Sequence, residues 1–317
     1  MTRFLLRLVI LFLIPTSAFA SDSDAVVVTI KPLHSLVQGV MGETGDATLL
    51  ITGIASPHGL SLKPSQVSRL QDAKVVFYID DAFESFLKTA LASLPEKVRK
   101  VSLSHAEGVE LLERREGGTW EEDIHGHEHG HSHAHDDNDD HGTEADNLHL
   151  WLDPKNAIHI TRSVAAELGR LYPENQEIYN KNAKKQISRI NALDAELRVR
   201  LASLAGRPYI VLHDAFPYFE RHYNVLAVGS LTLEPDAPAS AKRLKDIRAK
   251  IQESGATCIF KEPQFDDRLL QTAAEGMPVR LGILDPIGAE LEPGADLYFD
   301  LMEALATGLR DCLTAHS

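Results

Sequence analysis

Short apolar runs rich in β-branched residues alternate with amphipathic stretches along most of this chain. Val26 to Ile30 reads as a buried strand, and Ser35 to Met41 as a helix stopped by Gly42. Thr48 to Ile51 gives a second strand. A Gly/Pro-punctuated loop follows, and Pro64 opens a helix through Leu70, which suits proline in a first turn. The unit repeats as strand Val75 to Ile79, helix Phe83 to Leu94 and strand Val98 to Leu103. Strands that alternate with helices predict a parallel sheet covered on both faces.

Two interruptions divide the chain. Residues 113–147 carry almost no apolar side chain and are dense in Gly, His and Asp. They read as a solvated, disordered insertion. Order resumes at Leu148-His149-Leu150-Trp151-Leu152-Asp153-Pro154 and continues as a helix from about Ala157 to Leu171. From Pro173 to Leu204, Ile178, Ile187, Ile190, Leu193, Leu197, Leu201 and Leu204 fall at helical spacing with no Gly and no internal Pro. A helix of about 30 residues spans roughly 45 Å, longer than a small domain is wide, so it reads as a strut between two lobes. After Gly206-Arg207-Pro208 the alternation returns, with strands at 209–213, 225–229, 257–261 and 279–284 and helices near 240–253, 266–275 and 296–310. The predicted fold is two parallel α/β lobes, at 21–172 and 206–317, joined by a long helix at 173–205.

The N-terminus adds an address. Arg3 and Arg7 flank the start of an apolar run to Ile14, and Ala18-Phe19-Ala20 closes it. A basic start, a short apolar core and an A-x-A end describe a secretory signal peptide over residues 1–20. Pro15 cuts the run short of a membrane span. No Cys lies near the cleavage point to carry a lipid, so a free periplasmic protein is expected. The only two Cys, Cys258 and Cys312, exclude a thiolate zinc cluster and become natural disulfide partners after export, worth roughly 4 kcal/mol in the chain-entropy model. Two buried free thiols are the alternative.

Composition narrows the function. The 317 residues carry 32 Lys and Arg against 46 Asp and Glu, a formal net charge of −14 that argues against a nucleic-acid binder. Twelve of the acids lie between Glu113 and Asp146, opposed by two Arg, so most of the acidity is one segment. The 15 His are placed unevenly. His125, His127, His129, His131, His133, His135 and His141 alternate with small or acidic residues, with Asp136, Asp137, Asp139 and Asp140 among them. Seven imidazoles on such a loop bind zinc, copper or nickel through shifting ligand sets; a solvated linker without a metal role is the bland alternative.

Three isolated His sit at strand ends or in loops: His58 in Ser56-Pro57-His58-Gly59, His149 beside Trp151-Leu152-Asp153-Pro154, and His213 closing Tyr209-Ile210-Val211-Leu212. Asp285 likewise ends the strand Val279 to Leu284. Ligands of open α/β sheets bind at the carboxyl ends of strands. Taken singly, each His is more often structural. Together they form the imidazole-plus-carboxylate set that zinc prefers. Glu262, Asp214 and Asp153 are equal candidates for supporting a ligand imidazole from behind.

The ordered series Ser56-Pro57-His58, Lys63-Pro64-Ser65, His149-Leu150-Trp151-Leu152-Asp153-Pro154, His213-Asp214-Ala215-Phe216, Glu262-Pro263-Gln264-Phe265 and Leu284-Asp285-Pro286-Ile287-Gly288 resembles the periplasmic zinc-binding proteins of ABC-type zinc uptake systems over about residues 25–315. The resemblance implies two α/β lobes on a rigid helix, metal in the cleft between them, and His58, His149 and His213 as ligands of Zn2+. Some relatives carry a Glu before the first ligand, where this chain has Pro57, so the fourth position falls to Asp285 or to water. The implied function is capture of periplasmic zinc by a monomeric carrier and its delivery to a membrane permease, with no enzymatic step.

Three other readings compete with it. A manganese carrier would favour more oxygen ligands. A zinc hydrolase would use Asp285 or Glu262 as general base, but no H-E-x-x-H or G-x-S-x-G signature is present. An adhesive or metal-buffering protein would make the His loop its principal site. With ordinary imidazoles near 6.5, zinc affinity is expected to fall steeply between about pH 7 and 5.

Overall fold

The computed structural model describes residues 25–54, 56–116, 118–120, 146–232 and 240–315. The expected signal peptide and the seven histidines from His125 to His141 lie outside them.

The first lobe begins with β1 (Val26–Val28), buried on both faces, which is why it reads as an unbroken apolar run. Helix α1 (Lys31–Met41) has Pro32 in its first turn and ends at Gly42, whose φ of 57° is open to glycine. Then come β2 (Thr48–Leu49), the loop carrying His58, and α2 (Pro64–Asp72), where the Gln66 side chain accepts from the Lys63 N–H at 2.8 Å. Strand β3 (Val75–Tyr78) precedes α3 (Lys88–Ser93) and β4 (Arg99–Ser102). The helix expected from Phe83 is shorter than its pattern. Buried Glu84 turns back to accept from the Ile79 and Asp80 N–H groups at 2.8 and 3.1 Å, and that turn delays helical winding. The four strands form one parallel sheet in the order β2-β1-β3-β4.

A small antiparallel ladder follows, β5 (Leu112–Glu113) against β6 (Asp146–Asn147). Helix α4 (Pro154–Leu171) starts at Asp153, whose carboxylate accepts from the Lys155 N–H at 2.8 Å. The linking helix is α5 (Gln176–Leu201), with single 3-10 turns at Pro173–Asn175 and Ala202–Leu204. Its 26 residues extend about 39 Å. It packs against α1 and α4 on one side and reaches the second lobe.

That lobe comprises β7 (Tyr209–His213), α6 (Pro217–Tyr223), β8 (Gly229–Thr232), α7 (Ala241–Ser254), β9 (Cys258–Lys261), α8 (Arg268–Ala274), β10 (Arg280–Ile283) and α9 (Leu297–Thr314). Its sheet is parallel, ordered β10-β9-β7-β8. A disulfide joins Cys258 on β9 to Cys312 on α9.

Two expectations are corrected. The strand read at 225–229 is displaced to β8: Val225, Ala227 and Val228 are buried but belong to the connection after α6, in which Leu226 is exposed. The disordered segment read at 113–147 is ordered at both ends. Beyond the β5–β6 ladder, Thr119 pairs antiparallel with Gly229 on the free edge of the second sheet. Trp120 N–H donates to Val228 O, and Ser230 N–H to Gly118 O, each at 2.9 Å. Gly229 is required at this crossing, since a Cβ there would lie 2.7 Å from Gly118 O. Arg115 pins the strap: its guanidinium pairs with Asp214 and with Glu220 (2.7 Å) and stacks 3.6 Å over the Trp120 ring.

One hydrophobic core runs through both lobes, from Val28 and Phe77 through Ile190 and Leu197 to Tyr209, Phe260 and Met302. No helix among the described residues is long and apolar enough to cross a membrane.

Candidate metal centre

The carboxyl edges of the two sheets face each other across the cleft, and the chemistry-bearing residues collect there. His58 lies in the loop after β2 and is half-buried; Ser56 Oγ accepts from its backbone N–H at 3.2 Å. His149 immediately precedes the 3-10 turn Leu150–Leu152 that feeds α4, and it is buried. His213 is the last residue of β7 and is buried as well. One ring nitrogen from each of the three lies within 4.8 Å of the others.

Each buried ring is held from behind. His213 Nδ1 donates to Glu262 Oε1 at 2.5 Å, and Glu262 sits just past the end of β9. His149 Nδ1 donates to Asn147 Oδ1 at 3.1 Å. With both Nδ1 positions satisfied, the two Nε2 atoms face each other at 3.3 Å. Two nitrogens bound to one tetrahedral zinc at 2.0–2.1 Å stand about 3.3 Å apart. A right-angled pair at similar bond length would stand about 2.9 Å apart. This one pair stands at the tetrahedral spacing, within a three-nitrogen group that spans up to 4.8 Å. Phe83 packs edge-on against His58 and His149, with ring centroids 4.8 and 5.2 Å away, and gives the site an apolar wall.

Electrostatics favours neutral rings. Burial, the His213 ring and Arg114 hold His58 down at about 3. Burial, then His213, His58 and Arg114, hold His149 well below 6.5. Burial pushes the Glu262 carboxyl up, opposed by the adjacent His213 ring. Glu262 Oε2 is buried with no hydrogen-bond partner.

Asp285 is not brought into the three-imidazole group. Its carboxylate caps the turn after β10, accepting from the N–H groups of Ile287 (3.1 Å), Gly288 (3.1 Å) and Ala289 (2.5 Å) and from Gln264 Nε2 (2.6 Å). Among the three supporting candidates, Glu262 is the one that holds a ring of the three-imidazole group, that of His213. Asp214 is taken up by Arg115, and Asp153 caps α4 while contacting His222 Nδ1 at 2.9 Å. Asn147 and Arg115 escaped the sequence reading because both fall inside the segment read as disordered.

Two lobes clamped on a long helix, with imidazoles from both converging in the cleft, define a solute-binding protein for a metal ion. Residues 26–312 match the family described as zinc-uptake complex component A, periplasmic, and the chain belongs to that family. It is 40% identical over 314 residues to the high-affinity zinc uptake system protein ZnuA of Brucella suis, covering 94% of each chain. To the ZnuA of Yersinia pestis it is 31% identical over 303 residues, with 95% of each chain covered. A crystal structure of a ZnuA deletion mutant with zinc bound superposes with a TM-score of 0.74 at 23% identity, over 92% of this chain and all of that one. The protein is a zinc-binding component of an ABC-type uptake system, and its task is transport, not catalysis.

Proposed function

We propose that His58, His149 and His213 hold one Zn2+ in the cleft, that a solvent molecule occupies the fourth vertex, and that the protein carries the ion through the periplasm as a monomer to the permease of its importer. The observation that carries this reading is the buried pair of Nε2 atoms 3.3 Å apart, each backed by an acceptor on Nδ1. Two lone pairs aimed at one point in a desolvated cleft call for a cation, and three nitrogen donors suit zinc better than manganese.

Competition titration against a chelator tests the ligand set. His213→Ala is expected to weaken zinc binding by several orders of magnitude while the fold survives; wild-type affinity in that variant would refute the assignment. Asp285→Asn is expected to change affinity less than tenfold, because the carboxylate serves the turn. A loss of a hundredfold or more would make Asp285 the fourth ligand in place of solvent.

A further inference from the structure

We propose that Asn147 is a positioning residue of the metal centre: it fixes His149 in the tautomer that offers Nε2 to the ion, and it ties that first-lobe ligand to the second-lobe turn carrying His213. The proposal rests on His149 being a ligand.

The orientation of the Asn147 amide follows from its neighbours. Its Nδ2 lies 2.7 Å from the Asp214 carbonyl oxygen, which can only accept, so this end of the amide is the donor. Its Oδ1 lies 3.1 Å from the His149 backbone N–H, which can only donate, so the other end is the acceptor. The same Oδ1 is 3.1 Å from His149 Nδ1, and an acceptor there demands a proton on Nδ1. His149 Nε2 is thereby left as the lone pair facing His213. Asn147 is buried, so bulk water does not substitute for these partners.

The residue is itself held from both lobes. Its backbone belongs to β6, paired with Leu112 on β5. Tyr218, on α6 of the second lobe, donates its hydroxyl hydrogen to Asn147 O at 2.6 Å and accepts from the Leu112 N–H at 2.9 Å. Asp214, whose carbonyl receives the Asn147 amide, follows His213 directly and has its carboxylate locked by Arg115. One side chain therefore links the backbones beside both buried ligands across the cleft. The two rings are also supported unequally: His213 leans on a carboxylate and His149 on a neutral amide.

Long-range proton–nitrogen NMR of the metal-free protein reads the His149 tautomer directly, and chelator competition reads zinc affinity. In the wild type, His149 is expected to be protonated on Nδ1. Asn147→Ala is expected to lose that preference and to bind zinc about 10–100-fold more weakly. Asn147→Asp has the same size and still offers an oxygen to Nδ1, so it is expected to keep the tautomer while losing the donor to Asp214. A wild-type ring protonated on Nε2, an unchanged tautomer or affinity in Asn147→Ala, or loss of the tautomer in Asn147→Asp would overturn the proposal. His149→Ala separates the two levels of failure. Unchanged zinc affinity there refutes His149 as a ligand, whereas unchanged affinity in Asn147→Ala alone refutes only the role of Asn147.

Discussion

An imidazole binds zinc only when neutral, so the acid sensitivity of the cleft depends on what holds each ring neutral. At the ordinary value near 6.5, two such ligands would cost roughly two orders of magnitude in affinity between pH 7 and 5.5. Burial and neighbouring positive charge hold His58 at about 3 and His149 well below 6.5, so that penalty is removed. Where composition alone implies a steep loss between pH 7 and 5, the burial of these two rings leads to the expectation of a shallower one. Zinc affinity, followed by chelator competition, is expected to fall by less than tenfold for these two ligands over that interval. Release is expected to require conformational change rather than mild acid. A hundredfold loss by pH 5.5 would show that the rings titrate as ordinary histidines. Stability has its own sign. Between about 3 and 6.5 the unfolded chain binds more protons at His58 than the folded one does, so the metal-free protein loses stability as pH falls through that window.

At the scale of elements, the strap from Leu112 to Trp120 decides how the lobes meet. Arg115 is partly exposed, but its partners Asp214 and Glu220 are 6% and 0% exposed. Removing the guanidinium strands two buried carboxylates. Arg115→Ala is expected to cost about 3–5 kcal/mol in urea unfolding of the metal-free protein. Arg115→Lys is expected to recover only part of it, since one ammonium cannot serve both partners as a planar fork does. A loss below 1 kcal/mol would mean that the pair contributes nothing net. This strap also marks where the sequence stops being legible. The strands and helices around Val26, Val75, Tyr209 and Ile259 announce themselves because two-sided burial demands apolar runs and helix faces demand a 3.6-residue period. His58, His149 and His213 stand out only as a set, because several imidazoles fall where open α/β sheets bind their ligands. Gly118, Thr119 and Trp120 carry no such pattern: their order comes from an edge strand more than a hundred residues away and from one arginine. The exposure-rich composition around them masks both. Asn147 is hidden for the same reason, although its place two residues before His149 is a local cue. The β8 shift has a similar origin, since pairing with the inner strand β7 lets Gly229-Ser230-Leu231-Thr232 form an edge strand that hydropathy alone passes over.

Across the whole molecule, the lobes are not independent bodies. The core is continuous through α5, Lys31 Nζ of α1 donates to Ala289 O at 2.6 Å and Leu291 O at 2.9 Å, and Trp151 Nε1 donates to Pro286 O at 2.8 Å. Large, apolar inter-lobe contact of this kind limits relative motion, so the cleft is held near its binding geometry before zinc arrives. The His-rich stretch offers a second set of donors by composition, seven imidazoles among small and acidic residues, and an ion that has to order the chain around it binds at an entropic cost. Its dense acids offset part of that cost by concentrating cations, an effect that salt screens. Both of its stems, at Trp120 and at β6, are fastened to the second lobe by contacts that do not involve residues 121–144. Deleting 121–144 is therefore expected to leave the cleft site intact. Calorimetry should show one tight ion in the deletion variant. The full chain should show that same ion and at least one more, bound more weakly and lost first as salt is raised. If the deletion abolishes the tight site while the fold persists, the primary zinc ligands lie in the loop, and the three-imidazole cleft is not the carrier's binding site.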